Sequence, residues 1–301
     1  MKSRKLFILD LGLSAHESTT QNTGRILSCN LDGSNLGVVV DGINLPDGLA
    51  VDREGGHIYW TDMGRLPLKE NDGSVLRCNL SDGSEVTTII PPGATFTPKQ
   101  IILASLSRKL YWCDREGMRV MRANLDGSAI EVLYQAGEGD MDRLDATRWC
   151  VGIAVDEIAG HIFFTHKGPS KGGRGRIIHM GIEIPKGQTA STRRDIRTLF
   201  ENLPEPIDLV WDAHAQALFW TDRGDPPLGN TVNMATHQDG HWVRKVLGRK
   251  LHEAIGIDVD EVDGSLYVAD LGGRILRYCL DGSAPKLILH DMGDLTGVVV
   301  A

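Results

Sequence analysis

The side chains able to do chemistry in this 301-residue sequence are few, and they fall at a small number of recurring positions. His166 ends a short segment whose counterparts end in Asp10, Asp62, Asp114, Asp222 and Asp270. An imidazole there either keeps the hydrogen bond of that corner or serves as an acid or base near neutral pH. Gln100 and Asp208 open segments whose counterparts open with Gly48, Gly152, Gly256 and Gly297, so two polar side chains are expected where the other copies allow only close backbone approach. Just ahead of these stand Asp47, Lys99, Val151, Ile207, Ile255 and Thr296, a mixed polar and apolar set suited to a small-molecule pocket. His16, Lys69 and Arg223 sit in Gly-bounded loops, where each is either an exposed loop residue or a pocket residue. Trp149 lies outside the strand pattern that holds the other tryptophans, and packs between elements or lines the pocket with one wet edge. No Ser-His-Asp order, Gly-rich phosphate loop or His-x-His spacing stands out among these positions. Asp47, Asp208 and Glu253 offer an alternative, a divalent-metal set, weakened by the lysine among them. No metal and no cofactor is expected.

The elements that position these residues repeat. Tyr59-Trp60-Thr61-Asp62, Tyr111-Trp112-Cys113-Asp114, Phe163-Phe164-Thr165-His166, Phe219-Trp220-Thr221-Asp222 and Tyr267-Val268-Ala269-Asp270 are copies, with a weaker one at Phe7-Ile8-Leu9-Asp10. Their last residues are separated by 52, 52, 52, 56 and 48 positions, the period of a propeller blade. Ten residues earlier runs another strand, as in residues 48–52, 100–104, 152–156, 208–212 and 256–260, and its sixth copy is 297–301 at the other end of the sequence. Val298 to Val300 are therefore predicted to pair with Leu6 to Leu9, closing one blade from both ends. Asp-Gly pairs at 32–33, 82–83, 126–127, 239–240 and 281–282 predict hairpins between third and fourth strands, because glycine takes positive φ at little cost. The fourth blade carries a longer excursion over residues 181–195 instead. The reading is all-β: a six-bladed β-propeller over residues 1–301 as one domain. Strand direction then brings the loops before the first strand and after the second to one face. The loops 11–24, 63–73, 167–175 and 223–230 are long enough to wall a mouth there.

Composition narrows the partners. A formal charge of -8 argues against nucleic acid, which needs a basic face to release counterions. The basic stretch Lys167, Lys171, Arg174 and Arg176 reads as a solvated loop. Cys29, Cys78, Cys113, Cys150 and Cys279 form no C-x-x-C pair, so they read as small buried side chains rather than zinc ligands or a disulfide framework. No stretch approaches the roughly 18 apolar residues of a membrane span, and no secretory signal is visible. The expectation is a reduced, cytoplasmic protein with small-molecule partners, no nucleic acid and no membrane.

The copies at one register, the Leu-Asp-Gly-Ser turns and the ten-residue offset resemble the YWTD propellers of the low-density lipoprotein receptor family over essentially the whole sequence. The sequence departs from the receptors in lacking their cysteine-rich flanking modules. It also resembles the stand-alone propellers of fungal tropolone-sesquiterpenoid biosynthesis. That resemblance implies an intermolecular hetero-Diels-Alder cyclisation between an ortho-quinone methide and a terpene alkene. On this reading Lys69, Gln100, His166 or Arg223 donates a hydrogen bond to the heterodiene oxygen, and Asp208 with His166 assists loss of water from a hydroxymethyl precursor. Met63, Phe96 and Trp149 form the apolar wall, with His16, Asp47 and Thr296 completing the substrate contacts. The alternatives are a non-catalytic peptide- or protein-binding propeller and a metal-dependent lactonase.

Overall fold

A computed structural model describes residues 4–13 and 23–301. Strand-forming stretches, buried almost throughout in the inner strands and largely exposed in the outermost, build six four-stranded antiparallel sheets. Blade 2 comprises Pro46–Asp52, His57–Asp62, Gly73–Asn79 and Thr87–Thr95, and blade 3 Pro98–Ala104, Lys109–Asp114, Arg119–Asn124 and Glu131–Gln135. Blade 4 comprises Cys150–Asp156, His161–His166, Gly175–Gly181 and Arg197–Leu203, and blade 5 Pro206–Asp212, Ala217–Asp222, Thr231–Gln238 and His241–Arg249. Blade 6 runs from Ala254–Val259 through Leu266–Asp270 and Arg274–Tyr278 to Lys286–Leu289. Blade 1 takes its first strand, Leu295–Val300, from the end of the sequence and the rest, Lys5–Asp10, Gly24–Asn30 and Gly37–Ile43, from its beginning. The register pairs Leu6 with Val300, Ile8 with Val298 and Leu9 with Gly297, as the unpaired halves predicted.

The aromatic dipeptide of each copy explains how the blades adhere. Successive strand residues point to opposite faces, so one aromatic goes to each neighbouring seam. Tyr59 of blade 2 packs with Trp112 of blade 3. In the same way Tyr111 meets Phe164, Phe163 meets Trp220, Phe219 meets Val268, Tyr267 meets Ile8, and Phe7 meets Trp60 around the circle. Each seam is thus a separate hydrophobic core, and Cys29, Cys78, Cys113 and Cys150 are small fillers in those cores.

The threonine of the copies works at the axis. Thr61 Oγ accepts from Gly48 N at 2.8 Å and donates to Lys99 O of the next blade at 2.9 Å. Thr165 and Thr221 repeat both bonds, so in three of the six blades a hydroxyl ties the first strand to its neighbour. The tightness of this ring is why glycine recurs there: a Cβ on Gly48 would lie 2.6 Å from Lys99 O, and one on Gly152 2.0 Å from Ile207 O.

The Asp-Gly turns adopt positive φ at all five predicted glycines. The excursion in blade 4 is present between Gly181 and Arg197, held by Arg193, whose guanidinium donates to Leu133 O at 2.7 Å and Gly181 O at 2.6 Å. A second insertion escaped the sequence pattern. Between Gln135 and Cys150 the chain forms a short helix, Gly139–Arg143, and a 3-10 turn, Ala146–Arg148. Among the described residues no helix is long and apolar enough to cross a membrane.

Candidate functional site

Each second strand is followed by a residue whose backbone N–H is held in one way in all six blades. Leu11, Met63, Arg115, Lys167, Arg223 and Leu271 donate to the carbonyls of Asp294, Leu45, Thr97, Trp149, Glu205 and Glu253, at 2.9 to 3.2 Å. One hydrogen bond repeated around the axis gives the six side chains one orientation, and all six line a cavity of about 210 Å³ at the mouth of the channel. Below them the second residues of the first strands, Asp47, Lys99, Val151, Ile207, Ile255 and Thr296, form a second ring. Leu13, Leu45, Leu66 and Leu68 complete the wall. The rim leucines are solvent-facing, Leu66 at 61% and Leu13 at 42% exposure, which continues the apolar wall out to the surface.

The upper ring is divided. Blades 3, 4 and 5 contribute Arg115, Lys167 and Arg223, whereas blades 6, 1 and 2 contribute Leu271, Leu11 and Met63. The cations are fixed by carboxylates of the loops. Lys167 Nζ donates to the fully buried Glu205 at 2.6 Å, and Arg115 Nε to its neighbour Glu116 at 2.7 Å. Arg223 is the least committed: it lies 3.4 Å from Glu205 and 3.6 Å from Glu253, and its Nε has no hydrogen-bond partner. Trp149 stands behind this arc, its indole N–H donating to Arg143 O at 2.9 Å, with Arg115 at 5.1 Å and Lys167 at 5.7 Å from its ring centroid. The insertion over residues 136–149 therefore positions two cations through one indole.

On the floor, Lys99 Nζ is paired with Asp47 and touches Met63 Sδ at 3.1 Å. Gln100 lies beneath, donating to Asp47 Oδ2 at 3.1 Å and to Thr296 O at 3.3 Å. Asp208 is also below the cavity and accepts from the backbone N–H groups of Leu209 and Ile257, at 2.8 and 3.2 Å. Burial pushes its carboxyl well above the usual carboxylate range. Gln100 and Asp208, expected at the mouth, are instead tied into the inner strands by these bonds and are not among the residues that line the cavity.

Of the predicted site residues the structure brings together Asp47, Met63, Arg223 and Thr296 in the cavity wall, with Gln100 and Trp149 directly behind it. Three expectations are corrected. Lys69 is exposed and does not line the mouth; its loop contributes Leu66, at the rim, and Leu68 instead. Phe96 lines a separate cavity further out, under the Arg143 guanidinium at 4.2 Å. His166 is buried between blades 3 and 4 against Tyr134 and Phe164, with Nδ1 2.7 Å from Arg176. Burial first, then Arg176, pushes His166 down to about 3, so it is neutral at physiological pH and keeps the corner rather than moving protons. His16 lies outside the described residues. Lys167, read from sequence as part of a solvated loop, is instead one of the buried cations of the mouth. Sequence reasoning also passed over Arg115, Leu11 and Leu271, although one signal marks them all: the position immediately after each copy.

No family model matches the chain. It is 47% identical to a protein of Pyricularia oryzae called low-density lipoprotein receptor-related protein 1, over 99% of this chain and 98% of that protein. The chain belongs to the YWTD β-propeller family. A second fungal YWTD relative, the 3-hydroxyacyl-CoA dehydrogenase-like protein LAM1 of Cochliobolus heterostrophus, is 41% identical over 99% of this chain, which spans 64% of LAM1. Among solved structures this YWTD propeller resembles nidogen from its complex with laminin, at a TM-score of 0.74 and 22% identity over 99% of this chain and 98% of that one. A gluconolactonase from Xanthomonas campestris aligns at a TM-score of 0.61 and 16% identity, over 84% of this chain and 78% of that one. Both likenesses are of fold.

Proposed function

We propose that this propeller is a small-molecule enzyme that joins an ortho-quinone methide to a terpene alkene by an intermolecular hetero-Diels-Alder reaction in the mouth cavity. The observation that carries the reading is the division of the upper ring into a cationic arc and an apolar arc that face each other across about 210 Å³. The heterodiene oxygen gains electron density as the new bonds form, and Arg223, held only loosely at 3.4 Å from Glu205 and 3.6 Å from Glu253, and Lys167 line the cavity where donors would stabilise it. The alkene has no polar group to satisfy and fits against Leu11, Met63 and Leu271, reaching the exposed Leu13 and Leu66 on the rim. Holding the two partners in contact can supply up to roughly 7 to 11 kcal/mol of the barrier. A proton for a departing hydroxyl would come from the Lys167 ammonium, which burial renders more acidic than ordinary lysine and Glu205 keeps in place.

The binding-module alternative wants a shallow surface of anchors, for which a concave, charge-divided cavity offers little support. The lactonase alternative has no observation in its favour: among the described residues no three His, Cys, Asp or Glu side chains group as metal ligands. The test is product formation from a hydroxymethyl quinone-methide precursor and a cyclic alkene, with rate and stereoisomer ratio compared with the uncatalysed reaction. Acceleration with an altered isomer ratio is expected; a protein that changes neither overturns the reading.

A further inference from the structure

We propose that Lys99 is an imine-forming amine, and that the floor of the mouth takes small conjugated aldehydes as covalent, reversible ligands. This goes beyond the cyclisation reading and stands whether or not that reading holds. The geometry comes first. Lys99 is 8% exposed and lines the cavity, with its amine held between Asp47 and Met63 at the floor. Its surroundings include Met63 Sδ, a weak acceptor of one Nζ hydrogen, and Asp47, a carboxylate able to carry a proton away and return it. Leu45, Leu68 and Met63 offer a flat conjugated tail an apolar bed beside that amine.

The charge balance favours the neutral amine more than at a surface lysine. Burial, the dominant influence, lowers the Lys99 ammonium below the ordinary lysine value, and Arg115 adds to this against the opposing pull of Asp47. The step balances without a further reagent. The Nζ lone pair attacks the carbonyl carbon, a C–N bond forms and the carbonyl π pair moves to oxygen. Both amine protons then leave with that oxygen as one water, Asp47 ferrying them, and the imine remains. Protonated at nitrogen, it is an iminium facing the Asp47 carboxylate, and its conjugated tail becomes electron-poor and open to attack by an alkene.

The experiment treats the full-length protein near neutral pH with cinnamaldehyde and cyanoborohydride, which delivers hydride to the imine carbon and fixes the adduct. Peptide mass mapping then follows each lysine with time. Lys99 is expected to be modified about tenfold faster than the exposed Lys69 and Lys186, because the cavity both lowers its ammonium fraction and concentrates the aldehyde beside it. Lys99→Arg, which retains a cation for Asp47, is expected to abolish the fast adduct. Should that variant not fold, the mapping of the unaltered protein decides alone. Adducts confined to exposed lysines or to Lys167, with Lys99 untouched in the folded protein, overturn the proposal.

Discussion

Blades 3, 4 and 5 and blades 6, 1 and 2 share one backbone plan but follow their second strands with opposite chemistry. The N–H groups of Arg115, Lys167 and Arg223 make the same bond as those of Leu11, Met63 and Leu271, so the scaffold treats the two sets alike. What differs is the support around them. The basic half is backed by Glu116, Glu205, Glu253 and the Trp149 indole, which keep the cations apart and ordered. In the apolar half Leu11 and Met63 pack with Leu45 and Leu68, while Leu271 packs on Val151, Ile207 and Ile255 of the inner ring. A symmetric fold thus presents an asymmetric cavity at the cost of a few loop residues, because orientation comes from the backbone and chemistry from the side chain.

Breaking the circle should have the largest effect. Removing residues 297–301 deletes the strand that pairs with Lys5–Asp10 and leaves blade 1, part of the apolar half, with an open edge. Loss of the cooperative melt and aggregation on size-exclusion chromatography are expected; full retention of thermal stability would refute closure as the source of the mouth.

Substitutions that exchange the character of one half for the other sharpen the comparison. Arg223→Met should lower turnover by roughly a hundredfold through lost stabilisation of developing negative charge. Met63→Ala should mainly raise KM, with a loss of about 1 to 3 kcal/mol in apolar contact. Trp149→Ala, acting through Arg115 and Lys167, should lower turnover less than Arg223→Met and leave KM for the alkene nearly unchanged. Steady-state kinetics with each substrate varied in turn separates the three; identical profiles for Arg223→Met and Met63→Ala would erase the distinction between the halves.

A smaller effect concerns His166, which replaces a capping aspartate on the basic side. Its folded pKa is depressed from 6.5 to about 3, so the unfolded chain takes up the proton first. Stability is therefore fully present above 6.5 and falls as pH drops from there towards about 3. His166→Phe should flatten this dependence in denaturant titrations at about pH 7 and about pH 4.5, without changing the pH profile of turnover. A turnover profile that loses a limb in this variant would return His166 to the site. The smallest change is expected on exhaustive chelation, which should alter neither melting temperature nor turnover; a loss restored by calcium or zinc would recast the carboxylates of the mouth as ligands.

Much of the fold was legible because its determinants are local and periodic. The aromatic pair of each copy sends one ring to each seam by strand alternation alone, and the Asp-Gly turns require positive φ wherever they occur. Closure by residues 297–301 followed from counting halves, since only two lacked partners. The inner glycines also announced the crowding at the axis that a Cβ would violate.

The site was only half legible, for a physical reason. Asp47, Met63, Arg223 and Thr296 could be placed from the register, because residues next to a strand inherit its direction. Lys167 looked like part of a solvated charge run, and nothing local reveals that Glu205 of the next blade, 38 residues away, meets it in the wall. The same limit applies to His166, whose neutrality depends on Tyr134 and Arg176 arriving from other strands, and to Phe96, which the 136–149 insertion covers with Arg143. The sequence by itself determined a six-fold ring of positions and the chemistry available at each. Tertiary structure alone decided which of those side chains share the cavity, because desolvation and ion pairing are set by neighbours that only closure of the ring brings together.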